Sequence, residues 1–288
     1  MLFHPFFKRF ACAPPTADKL LRIAILSTPR SGNTWLRHML DHAYQCSQLD
    51  HGEYLLFNPL EISWLDLPQR CILMSHWNRN EPLPTLLKEH QFATFTLARH
   101  PLDVLISILL YAPSEGSLRW LNGREGDERS IYGAAPDSEA FLEYAVSTRA
   151  RALLEVSAEW WTDRACQQIR YEDLVRNPRK QLSRIARILG VRPSTPFDLT
   201  IRSCTFEVLR NPISSRHVWK GKPGLWRTLL TRPVALSIAK AHAKIFSTLG
   251  YICNPDRSLN YRRASQNWSR LIAAQEWGRR PGTTRSVA

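Results

Sequence analysis

Apolar runs that alternate with helical stretches restrict this chain more than anything else in it. Residues 23–26, 71–74, 92–97 and 167–171 read as strands: short, apolar or β-branched, and bounded by polar turns. Residues 35–44 carry Leu36, Met39, Leu40 and Ala43 at helical spacing. Helices are also predicted over 83–89, 102–110 and 138–161, and over 178–189, where Gly190 closes the pattern. This alternation predicts one α/β domain, with a parallel sheet flanked by helices on both faces. Ligands of such sheets sit at the carboxyl ends of the strands. Arg30, His76, Arg99 and Tyr171 all fall there.

The turn after the first strand carries the most chemistry. Thr28-Pro29-Arg30-Ser31-Gly32-Asn33-Thr34-Trp35 leads into the first helix. Backbone N–H groups at a helix N-terminus lack intrahelical partners, and the helix dipole favours an anion there. Arg30 adds a fixed cation. Ser31, Asn33 and Thr34 are expected to add side-chain donors. The turn is not a Walker A loop, because Gly32 is followed by Asn33 and not by Lys. The competing reading is an ordinary helix cap. Arg99 likewise has two readings, an anion ligand or a strand-end ion pair with Asp103.

Composition narrows the setting. The chain has 288 residues and a formal net charge of +14. That charge attracts anionic ligands, glycans, membranes or nucleic acid, or it is a solvated basic surface. Six scattered cysteines with no C-x-x-C pair point to reduced thiols in a cytoplasm-like compartment. No apolar run has the ~18 residues of a membrane span. Residues 1–20 read as an extension and 254–288 as a basic tail that either docks as a short helix or stays mobile, leaving 21–253 as the domain. His38 and His42 stand at i and i+4, a spacing that can hold a metal, but no third ligand is evident; no metal is expected. Trp64, Trp77 and Trp120 suit either a sugar or aromatic acceptor or plain packing.

Taken in order, the motifs resemble the sulfotransferases that use 3′-phosphoadenylyl sulfate (PAPS). Residues 28–35 look like their 5′-phosphosulfate loop. Arg99-His100-Pro101, with Ser107 eight residues after the Arg, looks like their 3′-phosphate motif. Tyr171-Glu172-Asp173-Leu174 resembles their Y-E-D-L segment, and Lys220-Gly221, followed by Gly224 and Trp226, their late cofactor loop. The match runs over roughly residues 21 to 251. The resemblance implies a P-loop-like sheet and sulfuryl transfer from PAPS to a hydroxyl or amine. It implies Arg30 to Trp35 at the phosphosulfate, Arg99 and Ser107 at the 3′-phosphate, and Trp35, Tyr171, Cys204 and Phe206 around the adenine, with Lys220 and Gly221 closing the site. His76, in Met74-Ser75-His76 where relatives often read K-T-H, is the implied general base. Arg30 stands where many relatives have Lys, so it stabilises charge and donates no proton at pH 7; Arg30→Lys is expected to keep much activity.

Two other classes remain in view: a nucleotide kinase on a related fold, and a non-enzymatic binder of anionic glycan or nucleic acid. The first lacks Gly-Lys in its loop. The second would rest on the net charge alone, and no nucleic acid is expected as partner. The acceptor, a small molecule or carbohydrate, is not legible. Nor is the oligomeric state: the relatives' K-x-x-x-T-V-x-x-x-E dimer motif is broken here by Arg232 and Leu236.

Overall fold

The computed structural model describes residues 20–49, 59–112, 128–205, 208 and 222–277. Strand β1 (Leu21–Leu26) leads to helix α1 (Asn33–Tyr44), then β2 (Ser47–Gln48) and β3 (Arg70–Ser75). Next come α2 (Leu83–Glu89), β4 (Phe92–Ala98), α3 (Pro101–Tyr111), α4 (Glu139–Val146), α5 (Thr148–Trp161) and β5 (Gln167–Arg170). Helices α6 (Tyr171–Arg176), α7 (Pro178–Leu189), α8 (Phe197–Ser203), α9 (Arg232–Ala241), α10 (Ala243–Leu249) and α11 (Tyr261–Trp277) follow. The strands form one sheet in the order β2-β3-β1-β4-β5, every neighbouring pair parallel. β2 escapes sequence reading because two residues carry no periodicity.

The side-chain period of two along a strand divides the core between the two faces of the sheet. Ile23 and Ile25 of β1, with Ile72 and Met74 of β3, pack with Leu36, Met39 and Leu40 of α1. Ala24 and Leu26, with Cys71 and Leu73, point the other way and pack with Val156 and Trp160 of α5. A third cluster joins α3, α4, α5, α9 and α10 with Ala98 at the end of β4. Trp64 and Trp77 belong to the core. Trp64 stacks on His90 at 5.6 Å, and Trp77 is buried with its carbonyl accepting from Trp160 Nε1 at 2.9 Å, so packing is what they do. Trp120 lies outside the described residues.

The single helix expected over 138–161 is two. Ser147 is extended (φ −69°, ψ 164°); its Oγ donates to Tyr144 O at 2.7 Å and accepts from Ala150 N at 3.2 Å. A hydroxyl that offers the backbone a local alternative ends one helix and caps the next. The final strand stops at Arg170, one residue before the expected end, and Tyr171 opens α6.

After residue 253, α11 lies against the core: Trp268 and Leu271 pack on the third cluster, Ala264 is buried, and Asn267 Nδ2 donates to Thr228 O at 2.9 Å. Among the described residues no helix is long and apolar enough to cross a membrane.

Candidate active site

The register of the sheet brings the predicted residues to one edge. Leu26 of β1 lies opposite Ser75 of β3, so Ser27 and His76 leave their strands side by side. The Nδ1 of His76 is 2.7 Å from Ser27 O. On the other side of β1, Arg99 directly follows β4, and its Nη1 donates to Arg30 O at 3.0 Å. Tyr171 follows β5, and the Arg99 guanidinium lies over its ring at 4.7 Å.

The turn 27–34 is built mostly from its own side chains. Ser31 Oγ donates to Thr28 O at 2.6 Å, and Asn33 Nδ2 donates to the same oxygen at 3.1 Å. Ser31 and Asn33 are buried and face inward. The expectation that they offer side-chain donors to an anion is therefore corrected. Their hydroxyl and amide hold the turn closed, and what a helix start offers an anion is its first N–H groups, which lack intrahelical acceptors. Gly32 sits at φ +103°, and a Cβ there would come within 2.5 Å of the Tyr171 ring, so only glycine fits. Arg30 is itself in the left-handed region at φ 65°. Strain of this kind is concentrated at functional sites.

Helix α5, which carries no recognisable motif, is the scaffold of this edge. Ser157 Oγ accepts from Thr28 N at 2.7 Å and donates to Leu97 O at 2.6 Å, while Ser157 N donates to Thr28 Oγ1 at 3.1 Å. Two residues on, Glu159 accepts from Asn78 Nδ2 (3.1 Å) and Arg79 N (2.8 Å), and Arg79 pairs with Asp163 at 2.6 Å. The loop, the end of β4 and the residues after His76 are thus fastened to one rigid helix. A buried serine at a helix face next to a strand-loop junction looks like packing in a sequence, so these positions were missed.

Arg99 is not paired with Asp103. The Asp103 carboxylate is buried and accepts from Gly224 N at 2.6 Å and Trp226 N at 3.0 Å, anchoring the late turn to α3. The strand-end ion pair is excluded for that reason. Among the described residues neither Arg30 nor Arg99 pairs with a carboxylate, and Arg99 Nε is buried with no hydrogen-bond partner. Ser107 Oγ accepts from Arg30 Nε at 3.1 Å, so the hydroxyl expected beside Arg99 is held by Arg30.

Burial draws the Arg30 guanidinium down to about 10; Tyr111 opposes and Arg99 adds to that fall, and the group stays cationic at neutral pH. Burial also draws His76 down to about 4, against its hydrogen bond to Ser27 and helped by Arg30. The imidazole is then neutral at pH 7. Because Ser27 O can only accept, the proton resides on Nδ1 and Nε2 keeps a free lone pair.

The remaining predicted residues divide. Trp35 Nε1 donates to Cys204 O at 2.8 Å, and the Trp35 ring meets Tyr171 edge-on at 6.4 Å. Cys204 therefore meets Trp35 through its backbone carbonyl and not its thiol. Thr34 lies on the first turn of α1. Phe206, Lys220 and Gly221 lie outside the described residues. His42 contacts Thr200 Oγ1 at 3.1 Å, and His38 lies beside Arg37. Glu172 has a role that the motif did not reveal: it accepts from His100 N (3.0 Å) and Tyr251 OH (2.6 Å), tying the end of β4 to the chain after α10.

Residues 21–241 match the family model described as "Sulfotransferase domain". Solved structures of similar fold include a mouse sulfotransferase complexed with PAP, 17% identical, covering 88% of this chain and 90% of that one with a TM-score of 0.58. Retinol dehydratase in complex with androsterone and inactive cofactor PAP is 17% identical, covering 84% of this chain and 83% of that one, with a TM-score of 0.55. Its complex with retinol and PAP is 18% identical, covers 84% of each chain and has a TM-score of 0.51. At these identities the likeness is one of fold.

Proposed function

The chain belongs to the sulfotransferase domain family, and on that footing we propose how its residues act. It is a PAPS-dependent enzyme, and bound PAPS supplies a sulfuryl group on a phosphate leaving group. The residues present fit such a ligand. Two cations without carboxylate partners among the described residues stand at one sheet edge, joined through the Arg30 carbonyl, and one of them has a buried, unpartnered N–H. That pairing is the observation that carries the reading, since a donor with an anion at each end needs two cationic sites a short distance apart.

In this reading Arg30, the turn N–H groups of Ser31 and Gly32, and those of Asn33 and Thr34 at the start of α1 receive the phosphosulfate. Arg99 receives the 3′-phosphate, joined by the hydroxyl hydrogen of Ser107, whose oxygen at the same time accepts from Arg30 Nε. Trp35, Tyr171, Cys204 and Phe206 border the adenine, and Lys220 and Gly221 complete the site. His76 Nε2 takes the proton of the acceptor hydroxyl or amine as its oxygen or nitrogen attacks sulfur in line. Arg30 stabilises the charge that grows on the departing phosphate oxygen. The acceptor is a small molecule, as retinol and androsterone are in the retinol dehydratase complexes, or a carbohydrate. A reducing, cytoplasm-like compartment is consistent with the five free cysteines among the described residues. Residues 21–253 form the transferase domain, with 254–288 an appended segment.

Calorimetry with 3′,5′-bisphosphate adenosine tests the reading. The nucleotide should bind without Mg²⁺ and in preference to ATP–Mg²⁺. Arg99→Ala should weaken it by about 1.5–3 kcal/mol, roughly ten- to over a hundredfold. Adenosine 5′-phosphosulfate should lose far less. Equal losses for both nucleotides would remove Arg99 from the 3′-phosphate.

A further inference from the structure

Arg30 is gripped from one helix on two sides. Its Nε donates to Ser107 Oγ at 3.1 Å, and its guanidinium carbon lies 4.6 Å from the centre of the Tyr111 ring. Ser107 and Tyr111 both belong to α3 and are four residues apart, so they share a helix face one turn from each other. Tyr111 is 3% exposed, which fixes its ring. The backbone beneath Arg30 is held in the left-handed region by the closed turn and supplies the carbonyl that Arg99 grips.

We infer that Tyr111 is a positioning residue for sulfuryl transfer: its ring, with the Ser107 hydroxyl, holds Arg30 in register with the phosphosulfate site. The inference rests on the assignment of that site made above. The geometry divides the guanidinium's resources. One N–H is spent on Ser107 and one face on the ring, while the N–H groups on the two terminal nitrogens remain for the oxygens of a ligand. A guanidinium has an edge and a face that can be held separately. An ammonium is a compact point charge: it can meet the hydroxyl or the ring, but it has no separate edge and face to give to both while leaving two further nitrogens for a ligand. The sequence expectation that Arg30→Lys keeps much activity therefore does not follow in this chain, because its α3 presents a ring and a hydroxyl shaped for a planar cation.

The test combines turnover, binding and NMR on the full chain. Without nucleotide, the Arg30 Nε–H should give a slowly exchanging signal in the wild type and in Tyr111→Phe, and lose it in Tyr111→Leu. Turnover of PAPS with a good phenolic or alcoholic acceptor should fall between about threefold and thirtyfold in Tyr111→Leu, the range of a cation–π contact. Tyr111→Phe should restore it, and the dissociation constant for 3′,5′-bisphosphate adenosine should change less than twofold. In an Arg30→Ala background Tyr111→Leu should cost nothing further. Arg30→Lys, which leaves the buried ring in place, should lose turnover by at least as much as Tyr111→Leu, and it serves alone if Tyr111→Leu fails to fold. A folded Tyr111→Leu with wild-type turnover and an unchanged Arg30 signal overturns the inference, and so does a fully active Arg30→Lys. A wild type that shows the protected signal but transfers no sulfuryl group overturns the functional reading and leaves the grip on Arg30 standing.

Discussion

At His76 one hydrogen bond decides which nitrogen can act. Ser27 O holds the proton on Nδ1, and burial holds the imidazole neutral, drawn down to about 4. The native state binds fewer protons than the unfolded chain between pH 4 and 6.5, so this group's contribution to stability is complete above pH 6.5 and is lost as pH falls toward 4. The activity limb moves with it. For the nucleotide-free enzyme kcat/KM should rise with pH around 4 and be flat through 6.5, and His76→Ala should abolish the limb while lowering turnover about 10²–10⁴-fold. A limb at 6.5 in the wild type would show that the imidazole is solvated. The sequence announces His76, Arg30 and Arg99 because strand ends are easy to find. It cannot announce that Ser31 and Asn33 turn inward, because that depends on Arg30 and Gly32 both adopting positive φ.

Individual elements join motifs that look independent in the chain. α3 carries Asp103, Ser107 and Tyr111, and through them it touches the late turn and the phosphosulfate loop. Asp103→Ala would leave the N–H groups of Gly224 and Trp226 without their acceptor. We expect a loss of about 1.5–3 kcal/mol in denaturant unfolding, the worth of hydrogen bonds to a charged group, together with weaker binding of 3′,5′-bisphosphate adenosine as the segment before Gly224 loses its anchor. An unchanged unfolding midpoint would mean that the turn is held elsewhere. Hydrophobic spacing located α2, α7 and the first helix closely. It ran α4 and α5 together because Ser147 is one polar residue in an otherwise continuous helical pattern. It also passed over Ser157 and Glu159, whose partners lie on loops far away in the chain.

Across the whole molecule, the segment beyond residue 253 belongs to the core as well as to the net charge. Trp268 and Leu271 pack on the cluster that holds α3, and Leu259 and Ala264 are buried. Ending the chain at 253 should lower stability by roughly 3 kcal/mol, from the lost burial of Leu259 and the lost partial burial of Trp268 and Leu271. Nucleotide affinity per folded molecule should change much less than stability, since none of these residues is among those placed at the nucleotide; a selective loss of nucleotide affinity at full stability would show otherwise. The fold class and the sheet edge were legible because period-two and helical patterns are local. The tail was not, because its few apolar residues gain meaning only from the core they meet. The bond between Thr28 and Ser157 spans 129 residues. It has a consequence for the order of events during synthesis. When the ribosome has released the loop and both arginines, the nucleotide site still lacks its scaffold, and closing so long a span is slow. A nascent chain halted before α5 emerges should not bind nucleotide although every motif residue through Ser107 is already present, and binding competence should appear abruptly once that helix is free to dock.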